Sequence, residues 1–183
     1  MMTWIRNRVI ARQVIDYPII EVLRECRRAA ALNVRKWEGD MRSSKPRILF
    51  VEDDADTREL VAHVLTRENY QVQLAENAEQ GIEFAQSKSF DLFVIDNWMP
   101  GVSGIDLCAR LRELNPLTPI LFFSGAAYEQ DKREAIAAGA QGYLTKPASL
   151  DELLAEVSRL ISDARRLSAR AQVFEAAYLR WRT

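Results

Sequence analysis

The sequence has only two cysteines and no long apolar run. Cys26 and Cys108 match no disulfide or metal-binding spacing, so we expect two reduced core thiols, as is typical of a cytosolic protein. No apolar stretch approaches the ~20 residues that a membrane span needs. The N-terminus also lacks the apolar core and the cleavage site of a secretory signal. Together these absences predict a cytoplasmic protein without a membrane partner.

Charge is distributed unevenly along the chain, although the net charge is only −1. Residues 1–44 carry nine basic and five acidic side chains, residues 45–161 carry eleven and nineteen, and residues 162–183 carry five and two. An acidic body is thus flanked by two basic arms, which in other proteins can bind nucleic acid. Here the arms lack interleaved aromatic and basic residues and a recognition-helix pattern. We therefore expect them to contact protein, and we expect no nucleic-acid binding by the chain itself.

From Arg47 onwards, short apolar runs alternate five times with helical patterns. The apolar runs predict strands at Ile48–Val51, Gln71–Ala75, Leu92–Asp96, Pro119–Phe123 and Gly142–Thr145. Capping residues mark the start of three helices: Asp54 or Asp56 for the first, Asn77 for the second and Ser149 for the last. The third and fourth helices are predicted over Ser103–Leu114 and Glu129–Ala138. The first helix is expected to bury Leu60, Val61, Val64 and Leu65. This alternation predicts an α/β fold with a doubly wound, five-stranded parallel sheet.

The N-terminal arm has a weaker pattern. Ile19–Trp37 is compatible with one helix, followed by a linker at residues 43–46. Two interpretations stay open, because Met41 is itself a candidate initiator and residues 1–40 would then not be translated.

The C-terminal arm has a much stronger helical pattern. From Ser149 to Thr183 there is no glycine or proline. Apolar residues recur with alternating spacings of four and three at Leu153, Val157, Leu160, Ala164, Leu167, Ala171, Phe174, Tyr178 and Trp181. This spacing predicts one elongated helix with a continuous apolar seam. The seam either forms a homodimer or docks on another surface.

Polar side chains stand at the ends of four predicted strands. Glu52 and Asp53 follow the first strand, and Asp96 ends the third. Ser124 follows the fourth strand and Lys146 follows the fifth. Because parallel sheets place ligands at the carboxyl ends of their strands, we expect these groups to converge. Three crowded carboxylates raise each other's pKa, and Mg²⁺, which prefers oxygen ligands, relieves that repulsion.

Such a cluster can carry out phosphoryl chemistry. Taken alone, Asp96 is equally well explained as a structural cap for the loop that follows it. Beside a cation, however, a carboxylate can attack a phosphoryl group and become an aspartyl phosphate. Lys146 then pairs with the new charge and Ser124 donates a hydrogen bond to it.

With these residues in this order, residues 46–161 resemble the receiver domain of bacterial two-component response regulators. The matching features are Glu52-Asp53, Asp96 with Met99-Pro100 and Gly104, Ser124, Tyr143 and Lys146-Pro147. The resemblance implies a flavodoxin-like sheet with strand order 2-1-3-4-5. We expect three parts: an N-terminal helical extension over residues 1–45, a receiver domain over 46–161, and a C-terminal helical extension over 162–183.

The resemblance also implies roles for individual residues. Asp96 would be the phospho-acceptor, and Lys146 and Ser124 would hold the phosphoryl oxygens. Ser124 and Tyr143 would form a switch that responds to phosphorylation. Four groups would bind Mg²⁺: Glu52 through water, Asp53, Asp96 and the backbone carbonyl of Trp98.

The function implied is a phosphorylation-controlled signalling switch in a phosphorelay. It would receive its phosphoryl group from a sensor histidine kinase or a phosphotransfer protein, and act through protein contacts or dimerisation. Because only 22 residues follow position 161, we expect no DNA-binding domain there. The chain would not be an enzyme beyond its own Mg²⁺-dependent self-phosphorylation and self-dephosphorylation. The alternative is a phosphate-independent scaffold that acts through its helical arms.

Overall fold

The structure, a computed structural model, describes residues 45–182. The strands are β1 (Arg47–Val51), β2 (Gln71–Ala75), β3 (Leu92–Ile95), β4 (Ile120–Ser124) and β5 (Gly142–Thr145). The helices are α1 (Ala55–Arg67), α2 (Ala78–Ser87), α3 (Gly104–Leu114), α4 (Glu129–Ala137) and α5 (Leu150–Arg182). The predicted helix at Ile19–Trp37, the candidate initiator Met41 and the thiol of Cys26 lie outside the described residues.

The five strands form one parallel sheet with the order β2-β1-β3-β4-β5. This order confirms the predicted doubly wound, flavodoxin-like fold. Because the direction of sheet growth reverses after β2, the carboxyl ends of β1 and β3 lie at a topological switch point. In the ladder, Val51 lies opposite Ile95. The residues that follow them, Glu52 and Asp96, therefore leave the sheet side by side.

Each face of the sheet is covered by helices and forms its own core. One core combines β-strand residues such as Leu49 and Phe93 with residues of α2, α3 and α4. The other combines residues such as Phe50 and Val94 with residues of α1 and α5. Since both faces are buried, the central strands are apolar at nearly every position instead of alternating.

Two local predictions need correction. Leu60 was expected to face the core, but it is 56% exposed, whereas Val61 is 2% exposed. Adjacent helical residues are about 100° apart, so turning Val61 towards the sheet turns Leu60 away. Ser124 is the last residue of β4 and does not follow the strand, because its carbonyl accepts the Lys146 N–H at 2.8 Å and extends the ladder by one residue.

The predicted caps agree with the structure. Asp54, one of the two candidates for α1, accepts the Thr57 N–H at 2.8 Å. Asn77 accepts the Gln80 N–H and caps α2 in the same way. At α5, Ser149 Oγ accepts the Glu152 N–H, and Glu152 Oε2 accepts the Ser149 N–H. This reciprocal pair is a capping box, which fixes where α5 begins.

Helix α5 has 33 residues and is therefore about 50 Å long. Leu153, Val157 and Leu160 are at most 3% exposed against the sheet, whereas Leu167 and Phe174 are 65% and 72% exposed. The predicted elongated helix is thus present, and its apolar stripe passes from a buried to an exposed environment. Among the described helices, none is both long and apolar enough to cross a bilayer.

Candidate functional site

Three carboxylates meet at the carboxyl edge of the sheet. Glu52, Asp53 and Asp96 each place an oxygen within 4.8 Å of the others. Glu52 is 1% exposed and Asp96 is 6% exposed, whereas Asp53 is open to solvent. The ladder creates this arrangement, because the Asp96 N–H donates to Val51 O at 3.0 Å and the Glu52 N–H donates to Ala75 O at 3.1 Å. The predicted acidic residues therefore lie together.

Lys146 provides the positively charged side chain at this cluster. Its ammonium lies 2.5 Å from Glu52 Oε2 and 3.6 Å from Asp96 Oδ2. The same ammonium lies 5.2 Å from the centre of the Phe123 ring. The peptide bond between Lys146 and Pro147 is cis. The lysine side chain thus reaches from the end of β5 to both buried carboxylates.

The charges at the site do not balance. Burial raises the pKa of Glu52, and the negative charges of Asp96 and Asp53 raise it further, while the Lys146 ammonium opposes the rise. Three carboxylates face one ammonium here. A divalent cation would neutralise the excess, and a set of ligands made only of oxygen suits Mg²⁺. The residues present therefore fit a divalent cation.

Ser124 lies beside the acidic cluster and is fully buried. Its hydroxyl oxygen accepts the N–H groups of Asn97 and Ala126, each at 3.4 Å. The Asn97 N–H also donates to Asp96 Oδ1 at 2.6 Å. One backbone N–H is therefore shared by the serine hydroxyl and the aspartate, which links the ends of β3 and β4.

Tyr143 lies behind Ser124 on the neighbouring strand. Its hydroxyl donates to Ala126 O at 2.7 Å, and its ring stacks on Phe122 with a centroid distance of 5.6 Å. Burial raises the pKa of the Tyr143 phenol. The two predicted switch residues are thus in contact through the loop between β4 and α4.

The loop between β3 and α3 approaches Asp96 closely. The Gly104 N–H donates to Asn97 O at 3.0 Å. A Cβ atom on Gly104 would lie 2.3 Å from Asp96 O and 2.6 Å from the Asn97 Cα atom. Only glycine fits this position. The loop from Met99 to Gly104 therefore packs directly against the end of β3.

Trp98 lies in the same loop, and its side chain is 71% exposed. Together with Asp53 and Asn97 it lines an open cleft of about 760 Å³. This cleft is the solvent-side approach to the acidic cluster. The exposed carboxylate of Asp53 lies on it, whereas Glu52 and Asp96 lie behind it.

Two further residues, Arg58 and Asn97, contact the acidic cluster but were not predicted from the sequence. Arg58 of α1 donates to Glu52 O at 2.7 Å and to Asp53 O at 3.0 Å, so it holds the backbone of the acidic turn. Asn97 contacts Asp96 and Ser124 through its N–H, as described above. Its position directly after Asp96 was the one available signal, whereas nothing in the spacing of Arg58 distinguishes it from a surface residue.

Sequence comparisons agree with this geometry. A family model described as the response regulator receiver domain matches residues 48–158. A probable transcriptional regulatory protein of Picosynechococcus sp. is 40% identical over 126 residues, which are 65% of this chain and 50% of the relative. The transcriptional regulatory protein ResD of Bacillus subtilis is 33% identical over 69% of this chain and 52% of its own length. The chain thus spans about half the length of these curated relatives.

Two of the solved structures with the same fold are receiver-sized chains that the shared part covers almost completely. A CheY-like receiver domain protein from Methanospirillum hungatei superposes with a TM-score of 0.66 at 26% identity, covering 67% of this chain and 98% of that structure. The chemotaxis protein CheY4 of Vibrio cholerae superposes with a TM-score of 0.61 at 30% identity, covering 63% of this chain and 98% of that structure. The shared part is thus the sheet with its helices.

Proposed function

The chain belongs to the response regulator receiver domain family, and from this premise we propose that it is a signalling switch phosphorylated on Asp96. The donor would be a sensor histidine kinase or a phosphotransfer protein. The observation that carries the proposal is the position of Asp96, buried at a strand end within 3.6 Å of Lys146 and beside two further carboxylates.

The geometry supports a specific attacking atom. Asp96 Oδ1 accepts the Asn97 N–H, whereas Oδ2 faces the Lys146 ammonium. We assign the attack on phosphorus to Oδ2: the Oδ2–P bond forms as the bond between phosphorus and the donor breaks, and the donor leaves with that electron pair. The ammonium can stabilise the charge that develops on the phosphoryl oxygens during this transfer. Glu52, Asp53, Asp96 and the Trp98 carbonyl would hold Mg²⁺, which offsets the remaining negative charge. The chain would have no separate substrate, and its chemistry would be confined to Asp96.

Phosphorylation would then change the partners of two residues. Lys146 would exchange Glu52 for the phosphoryl group, and the buried Ser124 hydroxyl would turn to donate to a phosphoryl oxygen. Ser124 would thereby release the N–H groups that it accepts now. Since Tyr143 is hydrogen-bonded to the same loop, a movement of Ser124 would reach β5, α4 and α5.

Output would go through protein contacts of α5, the C-terminal part of which exposes Leu167 and Phe174. We favour a homodimer, because these residues continue the seven-residue repeat of Leu160 and one seam can pair with a copy of itself. The second candidate, a phosphate-independent scaffold, would use the same helix without any response to Asp96.

Phosphoryl transfer from a small-molecule donor tests the proposal directly. The full chain is incubated with acetyl phosphate and Mg²⁺, and the phosphorylated form is measured by retarded migration in a phosphate-binding gel that hydroxylamine treatment abolishes, as expected for an acyl phosphate. The wild type and the control Asp106→Asn, an exposed carboxylate in the first turn of α3, are expected to be phosphorylated. Asp96→Asn is expected to remain unmodified. Equal modification of Asp96→Asn would show that the acceptor lies elsewhere, and no modification of any protein would favour the scaffold.

A further inference from the structure

Asn97 has a buried side-chain oxygen, Oδ1, that accepts no hydrogen bond. Two other atoms among the described residues share this property, Asn115 Nδ2 and Asp131 Oδ2, but only Asn97 adjoins the acceptor Asp96 in sequence. A buried acceptor without a donor costs free energy. In native proteins such a group commonly marks a functional role or the place of a water molecule or an ion.

The surroundings of Asn97 indicate what kind of partner this is. Asn97 and Asp53 line the same cleft, and Asp53 belongs to the acidic cluster. The carboxylates of the cluster are acceptors, and the Lys146 ammonium contacts Glu52 and Asp96 but not Asn97. Since no donor among the described residues reaches Asn97 Oδ1, a bound ligand is the natural source of one.

A hydrated divalent cation brings donors of this kind. Mg²⁺ bound by one or two carboxylates usually retains several water molecules, and each of these waters donates hydrogen bonds. A neutral amide oxygen can accept one of them without adding a fourth negative charge beside three carboxylates. Side chains that orient the ligands of a metal in this way commonly change its affinity.

We propose that Asn97 is a positioning residue for the divalent cation, whose Oδ1 accepts a hydrogen bond from a cation-bound water. This inference rests on the proposed cation site at Asp53 and Asp96. It differs from a purely structural role in one respect. A structural hydrogen bond stabilises the metal-free protein, whereas an unpartnered oxygen does not.

Calorimetric titration of the full chain with MgCl₂ tests the inference, together with thermal unfolding in EDTA and in Mg²⁺. We expect Asn97→Ala to bind Mg²⁺ about tenfold more weakly than the wild type, with metal-free stability unchanged or higher. Asn97→Asp keeps an acceptor oxygen and is expected to bind at least as tightly as the wild type. Ser103→Ala is the matched control, since Ser103 lines the same cleft but its hydroxyl is hydrogen-bonded to Asp106. Its Mg²⁺ affinity should equal that of the wild type.

Asp53→Ala separates this inference from the proposed function. If Asp53→Ala loses Mg²⁺ binding while Asn97→Ala binds like the wild type, the role of Asn97 is wrong and the cation site stands. If Asp53→Ala binds like the wild type, the cation site itself is wrong and the role of Asn97 fails with it. If Asn97→Ala lowers the metal-free melting temperature and Asn97→Asp does not restore binding, Asn97 has only a structural role and the inference is overturned.

Discussion

Lys146, which is partly exposed, forms an ion pair with the buried Glu52 across the sheet, with 2.5 Å between Lys146 Nζ and Glu52 Oε2. The distance from the same ammonium to Asp96 Oδ2 is 3.6 Å. The lysine that would stabilise a phosphoryl group is therefore held by a carboxylate of the proposed cation site. A cation that takes over Glu52 would free the lysine, so cation binding and phosphoryl binding would support each other.

Replacing Lys146 tests this coupling. Lys146→Ala leaves the carboxylate of Glu52 buried without its partner, so we expect the free energy of unfolding in EDTA to fall by about 1–3 kcal/mol. Mg²⁺ should restore more stability to this variant than to the wild type, because the cation no longer competes with the ammonium. Urea unfolding with EDTA and with Mg²⁺ measures both effects. Lys132→Ala, which breaks a surface pair with Glu129, is the control and should change stability by less than ~1 kcal/mol. Equal Mg²⁺ stabilisation of Lys146→Ala and the wild type would contradict the coupling.

Replacing Gly104 tests the close approach of α3 to the end of β3. In Gly104→Ala the new Cβ would lie 2.3 Å from Asp96 O, and backbone atoms cannot yield as a flexible side chain can. We expect a loss of about 1–3 kcal/mol in the free energy of unfolding, together with slower phosphorylation of Asp96. Gly125→Ala is the control, because a Cβ at Gly125 meets nothing within 4 Å. Phosphorylation of the two variants at equal rates would show that the loop position is unimportant for Asp96.

Cys108 should resist thiol reagents in the folded protein. It is fully buried, and burial raises the pKa of its thiol to about 11. Since only the thiolate reacts, the reactive fraction at pH 8 is about one in a thousand. In a Cys26→Ser background, iodoacetamide labelling followed by mass spectrometry should be slow at pH 8 and rapid in urea. Fast labelling of the folded protein would mean that the core around α3 opens readily.

Arg112 connects the loop that follows α3 to the distant segment between α4 and β5. Its guanidinium donates to the carbonyl oxygens of Asn115, Pro116, Thr118 and Gly139 and to the side-chain oxygen of Gln141, at distances from 2.7 to 3.3 Å. All five acceptors are uncharged, and burial lowers the pKa of the arginine.

Removing this guanidinium should lower the stability of the folded protein. Arg112→Ala removes the donor to the carbonyl oxygens of Asn115, Pro116 and Thr118, whereas Gly139 O and Gln141 Oε1 still accept from Gln141 Nε2 and from the Ile120 N–H. We therefore expect a loss of about 3 kcal/mol in the free energy of unfolding. Arg112→Lys should recover only part of it, because an ammonium has three donors and no planar fork. Arg110→Ala, an exposed position on the same helix, should change stability by at most ~0.5 kcal/mol. Chemical unfolding measures the stability of all three variants. Equal stability of Arg112→Ala and Arg110→Ala would show that the Arg112 hydrogen bonds do not stabilise the fold.

Local signals account for what the sequence predicted correctly. The apolar runs located every strand to within one residue, and the caps Asp54, Asn77 and Ser149 were found because their chemistry lies within three residues. The convergence of the acidic residues followed from the rule that parallel strands end at one edge. The strand order came from the resemblance to receivers, since alternation alone permits several orders.

Long-range contacts account for what was missed. The acceptors of Arg112 lie up to 29 positions away, and no local pattern indicates them. The buried oxygen of Asn97 depends on how the loop after β3 folds over it. The 4-3 spacing of α5 could not show where the sheet stops covering the stripe, because buried and exposed parts of it have the same repeat.

The exposed part of α5 provides the last prediction. A repeat of seven residues drifts by ~20° per heptad around a straight helix. From Leu160 to Phe174 the stripe therefore turns by only ~40°, so Leu167 and Phe174 are exposed because the 33-residue helix continues beyond the part that the sheet covers. This exposed part can meet a second helix without displacing the protein's own core. Burial of Leu167 and Phe174 in a homodimer would stabilise it by at least ~3 kcal/mol, a hundredfold or more in affinity.

Sedimentation velocity of the full chain measures this directly. We expect a dimer for the wild type and a monomer for Leu167→Ala/Phe174→Ala. Val173→Ala should stay dimeric, because Val173 is 69% exposed but lies off the repeat.

Repeating the runs with Mg²⁺ and beryllofluoride, which mimics an aspartyl phosphate, shows whether Asp96 controls the dimer. A change in mass in the wild type but not in Asp96→Ala means that phosphorylation controls assembly, whereas an unchanging dimer means that α5 is a constant dimerisation helix. A monomer under every condition would contradict the homodimer and leave the α5 stripe for a different protein.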